Sequence, residues 1–357
     1  MSTTEIPASL LEKIEEYAAH PTTQVTLRQL YEFARSANER TYIRSAQFLH
    51  REMPIRLAGK VKELENIPGG LFEVPSVQTV RDWYIESFRE ITAFPFPRTV
   101  EDDRKFSELL AQIKYRHRNQ VQVMARGIQE FLRRNPSSAL DEEALRHFLD
   151  GFYMSRIGIR VLLGHHTALH EKLPGWSGII CARTSPKEVA ERAMAEAGDL
   201  CRRTYGEPPP VRIVGKTTLS FKYIPSHLFH MVFELAKNSF RAVIDHQGDQ
   251  NGSLPPVTVV IAGGVEDVSL KISDEGGGIP RSCIDKVWNY TYTTANPELF
   301  PYTGDDSLMA GLGHGLPLCR LYARYFGGDL QLISLEGYGT DSYLHLSRLG
   351  NTLEAIP

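Results

Sequence analysis

The sequence predicts two domains in series, a helical bundle of the four-helix type followed by an α/β sandwich, and three observations carry that prediction. Apolar residues recur at three- and four-residue spacing from about residue 8 to 172. The segment Leu173-Pro174-Gly175-Trp176-Ser177-Gly178 then interrupts the pattern. After it, short alternating strands take turns with helices.

In the first part, the helical spacing is clearest in Leu27-Leu30-Tyr31-Phe33-Ala34, Ala46-Phe48-Leu49, Val80-Trp83-Tyr84-Phe88 and Phe106-Leu109-Leu110-Ile113. Breaks at Pro68-Gly69-Gly70, Pro95-Phe-Pro97 and Pro136 divide it into long helices with short turns, the pattern of a bundle. In the second part, Val211-Arg-Ile213, Val257-Thr-Val-Val-Ile261 and Val268-Ser-Leu270-Lys-Ile272 read as strands. Asp329 to Leu335 and Thr340 to Leu346, joined at Glu336-Gly-Tyr-Gly339, form a hairpin-like pair. The bundle is placed at residues 1–175, the second domain at 176–350 and a short tail at 351–357.

Composition bounds the function. A chain of 357 residues with 42% hydrophobic content exceeds one ordinary core. Its formal charge of −3 gives no global attraction to nucleic acid. With no run of about eighteen apolar residues, no membrane span is expected. Cys181, Cys201, Cys283 and Cys319 have neither metal nor disulfide spacing, which suits a reducing compartment.

Three motifs carry the chemistry. The first, Glu234-Leu-Ala-Lys237-Asn238, lies in an apolar-periodic stretch from Ile224 to His246 that predicts a helix. Glu234, Lys237, Asn238 and Arg241 fall at i, i+3, i+4 and i+7, a polar stripe able to line a cleft while Phe233, Leu235, Ala236 and Val243 pack elsewhere. The second, Asp274-Glu-Gly276-Gly-Gly278, ends a strand in glycines that let the backbone turn against a flat ligand. The third, Gly311-Leu-Gly313-His-Gly315-Leu316-Pro317, opens a helix. Its unobstructed amides and the helix dipole make a phosphate cradle, and Pro317 suits a first helical turn. Each motif alone is weak; all three in order describe an ATP site. They differ from the Walker loop and from the protein-kinase set led by a Gly-rich loop and a strand lysine.

This order resembles the ATPase superfamily that joins gyrase, the Hsp90 chaperone, histidine kinases and the MutL repair protein. The flanking segments Phe152-Tyr-Met-Ser155-Arg156-Ile157-Gly-Ile-Arg160, Tyr322-Ala-Arg-Tyr-Phe326-Gly-Gly-Asp-Leu330 and Gly337-Tyr-Gly339-Thr340-Asp341 narrow it. They resemble the mitochondrial 2-oxoacid dehydrogenase kinases, over about Leu30 to Leu346. Tyr322 to Asp341, Pro75 to Tyr84 and His230 to Val243 look more like the pyruvate branch. His165 to Glu171 and Gly178 to Pro186 lean toward the branched-chain one. The pyruvate branch is favoured.

The resemblance implies a fold and a reaction. The second domain is expected to be an α/β sandwich kinase domain of the Hsp90/histidine-kinase type, and the reaction to be phosphorylation and inactivation of the decarboxylase subunit of a 2-oxoacid dehydrogenase complex. The bundle is then expected to be regulatory and to dock the lipoyl domain of the acyltransferase core. A homodimer in the mitochondrial matrix is implied, although Glu5, Glu12, Glu15 and Glu16 leave no presequence visible in this chain. After Leu346 the sequence is shorter than in the animal pyruvate dehydrogenase kinases, which puts the mode of lipoyl docking in doubt and leaves dimerisation to the C-terminal sheet.

The residue roles follow from chemistry and resemblance together. Asn238 suits Mg²⁺ as a neutral oxygen ligand, and in the family this asparagine holds the metal; K⁺ is a further expected ion. Glu234 is positioned to accept the proton of a substrate serine, with His230 one turn back to polarise that carboxylate, both roles being those the family assigns. Asp274 is expected to accept from the adenine amino group, and Thr340 by resemblance to meet the adenine edge. Lys237 and Arg241 are expected to face phosphate or lid carboxylates, a surface ion pair being an even alternative for Arg241. The ATP-binding set is thus Asn238, Lys237, Arg241, Asp274, Gly276, Gly278, Gly311, Gly313, Gly315, Leu316 and Thr340.

The polar, aromatic stretch from Asp285 to Ala310 reads as a mobile lid that excludes water from transfer. His165 and His166 are expected to be packed or hydrogen-bonded in the bundle rather than phosphorylated. Two other classes stay in view, a histidine autokinase and an ATP-gated clamp or chaperone. Phosphoserine, phosphohistidine and the absence of any phosphoprotein distinguish the three.

Overall fold

The computed structural model describes residues 6–135, 141–247, 253–294 and 313–355. The chain divides into two compact units that change over between Ile179 and Ile180, with Thr26–Arg28 belonging to the second.

The first unit is helical: α1 (Ala8–Ala18), α2 (Leu27–Ala34, whose first two residues fall in the second unit), α3 (Glu39–Glu65), α4 (Pro75–Ala93), α5 (Val100–Arg116), α6 (Gln120–Arg134) and α7 (Glu142–Leu169). The long α3 packs against α1, α4, α5 and α7, and α6 lies on α4. Apolar spacing explains why: Leu49, Met53, Leu57, Val61 and Leu64 of α3, Phe88 of α4, Phe106 of α5 and Phe152 of α7 are all essentially inaccessible. Local signals set the ends. Asn38 caps α3 by accepting from Thr41 N, and Thr99 with Asp102 forms a reciprocal capping box at α5. The expected break at Pro68-Gly69-Gly70 is a kinked 3₁₀ segment with both glycines at positive φ. Pro54, in contrast, lies inside α3 without ending it. A two-residue strand, β1 (Trp176–Ser177), closes the unit.

The second unit contains β2 (Ile180–Thr184), α8 (Pro186–Tyr205), β3 (Val211–Gly215), β4 (Phe221–Tyr223), α9 (Pro225–Gln247), β5 (Val257–Gly263), β6 (Asp267–Asp274), α10 (Gly315–Arg324), β7 (Asp329–Leu335) and β8 (Gly339–Ser347). Its five-stranded sheet runs β3-β5-β6-β8-β7, parallel between β3 and β5 and antiparallel elsewhere. Strands β2 and β4 pair separately. Alternation buries Val257, Val259 and Ile261 of β5 and Val268, Leu270 and Ile272 of β6. Helices α8, α9 and α10 pack on this sheet, making the predicted helix-on-sheet sandwich.

The C-terminal residues return onto the same unit. Thr26 bridges Leu353, the Ala355 amide donates to Tyr325 O, and Tyr325 Oη donates to the buried Glu354 carboxylate.

Candidate active site

Helix α9 carries five of the expected residues, His230, Glu234, Lys237, Asn238 and Arg241. Lys237 and Glu234, one turn apart, form an ion pair at 2.8 Å from Nζ to Oε1. Lys237, expected to face phosphate or a lid carboxylate, is instead buried, with its ammonium 5.1 Å from the centre of the Phe233 ring. Burial pushes the Glu234 carboxyl up, but Lys237, then His230, outweigh it and hold the group below its ordinary range. Glu234 is therefore ionised at neutral pH. His230 packs its ring against Tyr322 of α10 with 4.7 Å between centroids. Asn238 faces outward, exposed.

Arg241 takes the alternative left open for it, pairing with Asp245 at 3.3 Å, and also donates to the Thr294 hydroxyl. Thr294 belongs to the stretch read as a lid. That reading is corrected for its first part: a 3₁₀ turn at Lys286–Trp288 holds buried Val287 and leads to buried Tyr290. Tyr290 lies edge-on to His314 at 5.1 Å, and Arg320 covers the Trp288 ring at 4.4 Å, so these aromatics are packing residues. Residues 295–310 of the expected lid, and Gly311, lie outside the described residues.

Asp274 ends β6 opposite Thr340 of β8 and is 7% exposed. Its Oδ2 accepts from Ser239 Oγ at 2.8 Å, and Oδ1 accepts from the amides of Gly276 at 3.1 Å and Thr340 at 3.3 Å. Burial raises its carboxyl against those three donors. Ser239 is a residue the sequence reading missed. Its position directly after Asn238, on the face of α9 toward β6, is a signal available only once the register of helix on sheet is known. Ser334 was missed likewise: its hydroxyl accepts from Ile279 N at 2.7 Å and contacts Thr340 Oγ1 at 2.9 Å, tying the end of the glycine turn to β8.

The glycines are required by contact and by dihedral. A Cβ on Gly276 would stand 2.5 Å from Ala242 Cβ, so the second motif packs onto the backbone of α9. Gly278 has φ 71°. Gly313 has φ 72°, and a Cβ there would meet the carbonyls of Tyr290 and Tyr292 at 2.8 Å. Helix α10 begins at Gly315 with no side chain capping it, Leu316 in its first turn and Pro317 buried at its third position. A Cβ on Gly315 would lie 2.9 Å from Glu234 Oε2, so the start of α10 lies against the carboxylate.

Residues 24–181 match the family model described as mitochondrial branched-chain alpha-ketoacid dehydrogenase kinase. Residues 223–349 match that of the histidine kinase-, DNA gyrase B- and HSP90-like ATPases. An Arabidopsis thaliana protein named pyruvate dehydrogenase (acetyl-transferring) kinase, mitochondrial, is 46% identical across 98% of this chain and 97% of its own length. The chain belongs to the mitochondrial pyruvate dehydrogenase kinase family. Its kinases of the same name include one from Schizosaccharomyces pombe, 35% identical over 98% of both chains. Human isozyme 4 is 37% identical over 97% of this chain and 86% of its own. Within this kinase family the ATPase-type match covers α9, β6, α10 and β8, the elements that bring Glu234, Asp274, Gly315 and Thr340 together. No helix among the described residues is long and apolar enough to cross a membrane.

Proposed function

We propose that this chain is an ATP-dependent protein serine kinase that phosphorylates and thereby inactivates the decarboxylase subunit of the pyruvate dehydrogenase complex. One observation carries the catalytic reading: the uncapped start of α10 at Gly315 lies against Glu234 Oε2. Amides able to hold an anion thus adjoin a carboxylate able to take a proton. Full-length likeness to proteins named pyruvate dehydrogenase kinases supports the substrate.

Phosphoryl transfer proceeds through a loose transition state, so the protein mainly positions and neutralises charge. The amides of Gly313, Gly315 and Leu316 would hold phosphate oxygens, with Gly311 continuing the loop. Glu234 would accept the serine proton as the bond to phosphorus forms. A carboxylate kept ionised by Lys237 serves this purpose, because a loose transition state asks little base strength of the proton acceptor. His230 would orient and polarise Glu234.

Asp274 would accept from the adenine amino group. A carboxylate offers about four lone-pair sites, and Ser239, Gly276 and Thr340 occupy three. One acceptor site is left for the nucleotide. Thr340 would line the adenine edge, and Gly276 and Gly278 would let the turn approach the ring. Arg241, tied to Thr294, would stabilise the chain leading toward the lid.

The residues present fit Mg²⁺: Asn238 is exposed one helical turn after Glu234, and a single neutral side-chain oxygen plus phosphates and water is an ordinary magnesium ligand set. The ion would neutralise phosphate charge. The unit up to residue 179 would dock the lipoyl domain and carry regulation, and the enzyme would act as a homodimer in the mitochondrial matrix.

The helical unit's family model bears the branched-chain name, so the substrate test includes both complexes. Purified pyruvate and branched-chain complexes are incubated with the chain and Mg-ATP, and their NADH-forming rates are followed. Loss of the pyruvate rate supports the proposal; loss of the branched-chain rate alone reassigns the substrate.

A further inference from the structure

In the helical unit three metal-ligating side chains converge. His166, in the last turn of α7, and His170, four residues on at its C-cap, face Asp103 in the first turn of α5. Asp103 Oδ1 is 3.7 Å from His166 Nε2, Asp103 Oδ2 is 3.4 Å from His170 Nε2, and one ligand atom from each residue lies within 4.8 Å of the others. Two ligands of a tetrahedral zinc ion stand roughly 3.3 Å apart, given bonds of about 2.0 to 2.2 Å.

A second observation points to a ligand. Asp103 is 1% exposed, yet among the described residues neither of its oxygens has a hydrogen-bond partner. Its place in the first turn suits the helix dipole but does not explain its burial. A buried carboxylate ordinarily finds donors or a cation, and the imidazole nitrogens stand too far off to serve as good donors.

The histidines are prepared as ligands. His166 Nδ1 is 2.8 Å from Ser45 Oγ, a contact that fixes the ring and leaves Nε2 turned toward Asp103. Ser107 Oγ reaches both rings, 2.9 Å from His166 Nε2 and 3.4 Å from His170 Nε2. The partly exposed His170 gives an entry path.

We propose that Asp103, His166 and His170 bind a zinc ion that ties α5 to α7, with Ser107 Oγ or water completing its coordination. The set is two nitrogens and one carboxylate, a common zinc complement.

The full chain, freed of metal by a chelator, is titrated with Co²⁺ as the spectroscopic probe and then with Zn²⁺. One equivalent of Co²⁺ giving intense visible bands, displaced by one of Zn²⁺, is expected. His170→Ala, at a partly exposed ring, and the isosteric Asp103→Asn should each weaken that binding by more than roughly a hundredfold, beyond the loss typical of supporting residues. Absence of the bands in the unaltered chain, or full-strength bands in His170→Ala, overturns the proposal. His170→Ala decides the matter if Asp103→Asn fails to fold.

Discussion

The Lys237 ammonium donates to the Glu234 carboxylate across 2.8 Å while its own side chain is only 9% exposed. The pair defines the protonation state of the proposed base. Without Lys237 and His230, burial alone would raise the Glu234 carboxyl; with them it falls. The sequence spacing predicted that these residues share a helix face but not that one would neutralise the other.

Replacing Glu234 by Gln removes the proton acceptor and keeps the shape. Transfer should fall by roughly a hundredfold or more. ATP binding should persist. A variant with near-normal turnover would remove Glu234 from the mechanism.

The same pair makes a stability prediction. The folded carboxyl of Glu234 is depressed, so its contribution is present above the unfolded value and is lost as pH falls through the folded one. Unaltered protein should therefore exceed Glu234→Gln in melting temperature at neutral pH, since the amide leaves a buried ammonium without its counter-charge. The gap should close on acidification below the ordinary carboxylate range. A gap independent of pH would show that the pair does not set the charge state.

Much of the fold was legible because local signals and tertiary packing agree. The strand reading at Val268 to Ile272 became β6 ending at Asp274, and the stretch from Ile224 to His246 became α9. The glycine motifs were legible because a missing Cβ is a strong constraint: Gly276 meets Ala242, and Gly313 meets the carbonyls of Tyr290 and Tyr292. The brief strands β2 and β4 had too few residues to show a period. Ser239 and Ser334 matter through partners 35 and 55 residues distant, which no local pattern reveals. The stretch after Asp285 misled because polar and aromatic composition resembles a lid, whereas Tyr290 finds His314 and is buried.

Asp274 already accepts three donors, so its substitution tests both structure and recognition. Asp274→Asn can keep the Gly276 and Thr340 amides on its oxygen only by turning its NH₂ toward Ser239 Oγ, which must then accept, and that NH₂ can no longer accept from an adenine amino group. Adenine nucleotides should lose affinity, while the helical unit keeps its circular dichroism signal. Unchanged ATP affinity in calorimetry would exclude Asp274 from adenine recognition.

Asn238→Ala should weaken Mg-ATP far more than metal-free ATP, because the exposed amide is proposed to meet the ion and not the nucleotide. Equal losses of both in calorimetry would argue against a metal ligand.

At Gly313, φ of 72° and two carbonyls within 2.8 Å of any Cβ leave no room for valine. Gly313→Val should abolish ATP binding. Circular dichroism must accompany the titration, since retained helical signal with lost binding locates the damage in the loop. Normal ATP binding would reduce the loop to an ordinary turn before α10.

The chemical nature of the transferred phosphate separates a serine kinase from a histidine autokinase and from an ATP-gated clamp. The chain is incubated with γ-labelled ATP, magnesium and the purified pyruvate decarboxylase subunit in its complex, beside the Glu234→Gln variant. Acid-stable phosphoserine is expected on the decarboxylase, reduced roughly a hundredfold or more in the variant. Acid-labile phosphohistidine on the chain itself, or no phosphoprotein at all, would contradict the serine-kinase assignment.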